Sequence, residues 1–98
     1  MSAGIDLVRG GALIVRVDWS GPAVGGVPRV RAVGRDNLGA AATVRAAIAD
    51  RQDLARVRFL TAAGREVTGW RGFDGWVQAL ALTVAPLGLG LGAIERPE

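Results

Sequence analysis

Cysteine, histidine, lysine and tyrosine are all missing from this 98-residue chain. Without cysteine there is neither a disulfide framework nor a thiolate metal site. Without histidine the usual general base and the imidazole metal ligand are gone. Without lysine no Schiff base forms, and Ser20 has no base to activate it. An enzyme built from this alphabet would work with carboxylates, hydroxyls, arginine and backbone amides alone. The reading is therefore a non-enzymatic protein, with no cofactor and no metal.

Charge is sparse in one place above all. Residues 75–94 carry no charged side chain, whereas elsewhere charges recur every few positions. Twenty such residues would just span a bilayer as a helix. Pro86, the glycines at 88, 90 and 92, and the Leu-Gly alternation around them argue instead for a helix followed by a strand. A membrane partner is not expected. No signal peptide fits the start, because a basic n-region is lacking and Asp6 and Arg9 interrupt any apolar core. The expected location is the cytoplasm or a larger assembly.

What remains is a chain of one domain's length, half apolar, with net charge +3 carried entirely by arginine on the basic side. Residues 5–9 read as a short edge strand, and Gly10-Gly11 as a two-residue turn. Over 12–19, Leu13, Val15, Val17 and Trp19 alternate with Ile14, Arg16 and Asp18, the period of a half-buried strand. Residues 20–28 hold three glycines and two prolines and read as a flexible loop. A strand over 29–34 follows, then a helix over 36–51 capped by Asp36 or Asn37. Its slim apolar face is Leu38, Ala41, Ala42, Val44 and Ile48.

Beyond it, 55–61 and 66–70 read as a hairpin, and 72–75 as a turn or bulge. A second helix covers 76–85, a strand 87–94, and a solvated tail 95–98. The fold class is α+β: a small two-layer domain of mostly antiparallel sheet with two helices on one face. The expected arrangement is βαββαβ-like, with a ββαββ grasp-like sheet plus C-terminal helix as the alternative.

Two features point toward partners. Three of the five aromatics fall within 70–76, and the helix after them has only Gln78 and Thr83 to hydrogen-bond through its side chains. A helix apolar nearly all round needs cover on two sides, and a neighbouring subunit can supply the second. The interface residues expected on this ground are Trp70, Phe73, Trp76, Leu80, Val84, Leu87, Leu89 and Leu91. They imply a homo-oligomer or a protein partner, hence an assembly or adaptor protein.

The alternative is a nucleic-acid-binding module. Arg16, Arg29, Arg31, Arg56 and Arg58 fall on the outward phase of their strands, with Asp18 the one acid set among them, and Arg71 lies nearby. Residues 71–77 also share a basic residue, a glycine and two aromatics with the third-strand signature of RNA-recognition domains. That signature needs its aromatics two apart on one strand face, and Phe73 and Trp76 are three apart. The Gly88-x-Gly90-x-x-Ala93 spacing is no dinucleotide fingerprint, because no helix fits after it.

Overall fold

A computed structural model of the chain describes residues 3–19, 27–55 and 72–96. Four strands form one antiparallel sheet in the order β3-β2-β1-β4. They are β1 (Ala3–Arg9), β2 (Ala12–Trp19), β3 (Arg29–Ala32) and β4 (Gly90–Glu95). Three helices accompany them: α1 (Leu38–Ala49), the single turn α2 (Gln52–Ala55) and α3 (Gly72–Val84). The α+β class and the antiparallel sheet agree with the sequence reading. The hairpin expected over 55–61 and 66–70 lies outside the described residues, except for Ala55, which ends α2.

Gly10 and Gly11 both take positive φ, 58° and 81°, and close the tight β1–β2 hairpin. A two-residue turn of this hand matches the twist of the strands it joins, and glycine enters it without a Cβ penalty. Ile5, Leu7, Val15 and Val17 are fully buried on one face of the hairpin. The register slips between Leu7 and Val8, so that Val8 faces Leu13 across the pair. This corrects the simple alternation over 12–19. Ile14 packs toward the core and Leu13 stands 39% exposed on the opposite face, because the bulge shifts the phase by one residue.

β1 is not an edge strand. β4 returns antiparallel beside it, with Ile5 opposite Ile94 and Leu7 opposite Leu91. A seven-residue strand that buries Ile5 and Leu7 needs neighbours on both sides, and the C-terminal strand is the second. β3 is shorter than expected; it ends at Ala32, and Gly34 turns the chain at φ 83°.

α1 buries Ala41, Val44 and Ile48, but Leu38 is 63% exposed and Ala42 lies on the solvent side. Only three of the five residues assigned to its apolar face are thus buried. Asn37 stands at its N-cap position, as expected, but its side chain makes no capping hydrogen bond. The Asn37 side-chain amide donates instead to the Val33 carbonyl, and a short 3-10 turn, Arg35–Asn37, leads into the helix.

α3 begins at Gly72, four residues before the expected start, so 72–75 is its first turn and not a bulge. Burial decides this. Phe73, Trp76, Leu80 and Val84 follow helical spacing and all are buried. Two glycines in a helix cost about 1 kcal/mol each, less than two buried aromatic rings contribute. The Trp76 ring meets the Trp19 ring edge-on at 4.4 Å between centroids, and its Nε1 donates to the Leu54 carbonyl at 3.1 Å. Pro86 sits in a 3-10 turn after α3, and Gly88, at φ 77°, releases the chain toward β4.

The core therefore lies between one sheet face and the helices. Among the described residues no helix covers the other sheet face, which an antiparallel sheet tolerates when that face is polar.

Candidate assembly surface

Of the residues expected to meet a partner, most hold the domain together. Phe73, Trp76, Leu80, Val84 and Leu89 belong to the buried core. Leu87 and Leu91 are partly buried and pack against it. Trp70 lies outside the described residues. α3 is thus not apolar toward solvent all round. Its outer side carries Asp74 and Gln78, and the large apolar side chain left there is Leu82, 74% exposed.

The backbone offers a different surface. β3 and β4 are the two edges of the sheet among the described residues. Edge strands present unpaired amides and carbonyls, so they tend to recruit another strand unless guarded. β3 is guarded. It has four residues, follows Pro28, and displays the exposed Arg29 and Arg31. The Val30 carbonyl accepts a hydrogen bond from Nη2 of Arg45, at 3.1 Å, so an α1 side chain occupies part of that edge.

β4 lacks these devices. It contains no proline and no basic residue, and its first charge is Glu95 at the end. Gly90, Ala93, Ile94 and Glu95 are exposed. A register shift between the partners of Ile5 and Leu7 gives β4 one extra residue at Gly92 and Ala93. That bulge is its one irregularity. Gly92 itself is needed, since a Cβ there would stand 2.9 Å from Cγ1 of Val8.

A charged lattice fastens β4 to the sheet. Arg16 donates to Asp6 Oδ1 at 2.8 Å through Nη1, and to Glu95 through Nη2. Its guanidinium lies over Gly4, where any Cβ would collide with it. Burial alone would lower the Arg16 pKa, but the hydrogen bonds and charges of Asp6 and Glu95 outweigh that and raise it. Arg31 donates to Asp18 Oδ2 through Nε and Nη2, at 3.1 and 2.8 Å.

Glu95 is therefore no part of a solvated tail, because β4 carries it back beside Arg16. Arg96 likewise pairs with Asp74 and lies 5.9 Å from the Phe73 ring centroid. Gly4→Ala is expected to expel the Arg16 guanidinium and cost about 1 kcal/mol, the scale of a partly exposed ion pair. A thermal melt checks this: the transition should fall by about 4–8 °C.

The arginine face needs correcting on the same ground. The sequence reading set one acid, Asp18, among the outward arginines. The structure brings Asp6 and Glu95 to the same face. Among the described residues, three carboxylates (Asp6, Asp18, Glu95) now stand with three arginines (Arg16, Arg29, Arg31). Arg56, Arg58 and Arg71 lie outside the described residues. Asp6 was readable from its phase between Ile5 and Leu7. Glu95 was not, because only the pairing of distant strands places it.

Among the described residues no group of three or more histidine, cysteine, aspartate or glutamate side chains is placed to hold a metal. No helix among them is long and apolar enough to cross a membrane. The chain matches no protein-family model, no curated protein and no solved structure. The functional reading rests on the geometry alone.

Proposed function

We propose that this is a non-enzymatic assembly protein, of the cytoplasm or of a larger assembly, that self-associates through its C-terminal edge strand. The observation that carries the reading is the inequality of the two sheet edges. β3 is short, arginine-lined and occupied by Arg45, while β4 is uncharged up to Glu95 and exposed at Gly90 and over Ala93–Glu95, with Leu91 and Gly92 half-buried. Strand addition to such an edge draws its affinity from main-chain hydrogen bonds, which explains how an interface can form although the large apolar side chains nearby are buried. The residues first expected at the interface act one layer behind it. Leu89 and Leu91 seat β4 on the core, and Trp76 and Leu80 form the floor beneath the sheet.

A nucleic-acid-binding face is the second reading, and the open face supports it less. Phosphate would have to compete with Asp6 and Glu95 for Arg16, and with Asp18 for Arg31.

Light scattering over a wide concentration range, with and without a mixed oligonucleotide, tests both. Self-association appears as a mass above 10.1 kDa that rises with concentration and ignores the oligonucleotide. A mass fixed at one chain at every concentration overturns it. A shift seen only with oligonucleotide at low salt would favour the second reading.

A further inference from the structure

We infer that β4 pairs antiparallel with β4 of a second copy about a two-fold axis between Gly92 and Ala93, closing at two chains in one continuous sheet. This rests on the self-association proposed above and adds the partner's geometry and the stoichiometry. The first ground is the guarded β3. A head-to-tail array would join β4 of one copy to β3 of the next and would grow without limit. That needs β3 open, and Arg45 on the Val30 carbonyl, Pro28 and the exposed Arg29 and Arg31 oppose it. With one usable edge among the described residues, the contact must be made by the same strand on both sides. Such a contact closes.

The second ground is the pattern of β4 itself. An axis between Gly92 and Ala93 overlaps the whole strand, Gly90–Glu95, with its copy. Leu91 then faces Ile94 of the second copy, and Gly90 faces Glu95. Leu91 and Ile94 are opposite Leu7 and Ile5 on β1, so both belong to the core-facing side despite standing three apart. The extra residue at Gly92-Ala93 is what brings them into phase, and it falls on the axis. Gly90 and Glu95 are opposite Val8 and Gly4 and so share the open face. Every opposed pair is apolar with apolar, or glutamate with glycine. No like charges meet, as they would with the axis on Glu95.

The chain has no cysteine, so introduced thiols report without interference. Directly opposed residues of an antiparallel pair lie about 4.5–5.5 Å apart between Cα atoms, which suits a disulfide. A Cβ at Gly90 meets open space. Gly90→Cys and Glu95→Cys proteins, mixed and oxidised, should shift from the mass of one chain to that of two on a non-reducing gel, while either alone does not. Light scattering on the same reduced samples shows whether association survives. Association without mixed cross-linking overturns the two-fold register, and so does cross-linking of the Gly90→Cys protein to itself. A ladder of higher masses overturns closure at two. A mass of one chain throughout overturns the underlying self-association as well.

Discussion

Ala93→Lys is expected to abolish self-association while leaving the domain folded. Ala93 is exposed on β4, so its methyl group contributes little to the core. A lysine on an edge strand is a common guard against strand addition, because it must be desolvated when another backbone arrives. Across a contact between two copies of one strand the effect doubles, since each copy brings its own positive charge close to the other. A tenfold or greater loss of affinity, about 1.4 kcal/mol, is the expected scale. Sedimentation equilibrium should then show one chain at concentrations where the parent protein is associated. The thermal melt should stay within about 0.5 kcal/mol of the parent, as for other surface substitutions. An unchanged association constant would move the interface elsewhere.

Trp76→Ala is expected to have the largest effect on stability. Trp76 is fully buried, touches Trp19 edge-on and donates to the Leu54 carbonyl. Removing a buried tryptophan costs about 3–5 kcal/mol in lost burial and residual cavity, and the Leu54 carbonyl loses its partner as well. Domains of this size have about 5–15 kcal/mol in total, so the variant should lose a large share of its stability and unfold at a much lower urea concentration. Leu82→Ala, by contrast, should stay within about 0.5 kcal/mol, because Leu82 is 74% exposed on the same helix. Urea titrations compare the two. Equal midpoints would contradict the placement of α3. Any loss of association in Trp76→Ala would follow from unfolding, which is why Ala93 and not Trp76 is the position that tests the interface.

The contrast between these two positions also shows what the sequence could and could not reveal. Period-two patterning found β2, and the paired glycines found its hairpin, because both signals are local. Helical spacing found α1 and the later turns of α3. Three readings failed where distant residues decide the outcome, and a fourth where a hairpin bulge does. The early start of α3 depends on Phe73 and Trp76 reaching Trp19, fifty-odd positions away in the chain. β1 became an inner strand, and Glu95 a partner of Arg16, because β4 pairs with β1. The phase of Leu13 and Ile14 turned on a single bulge.

The uncharged run 75–94 stands out in the sequence as needing cover, from the rest of the chain, a partner or a membrane. Its helix, apolar nearly all round, points to a neighbouring subunit as cover for a second side. In the structure the intramolecular core absorbs most of it, and what is left is a strand edge with few large side chains. Aromatic and leucine counts could not disclose that surface, since it consists of backbone.

The most direct measurement is amide hydrogen exchange at residues 90–95 as a function of protein concentration. An amide on an open strand edge exchanges through solvent, and one taken into a ladder with another chain does not. Protection of outward amides in β4 is expected to rise with concentration in step with the measured mass, while β3 stays unchanged. Protection in β4 that is the same at every concentration, or that rises at Arg29–Ala32 instead, would contradict assembly through the C-terminal edge.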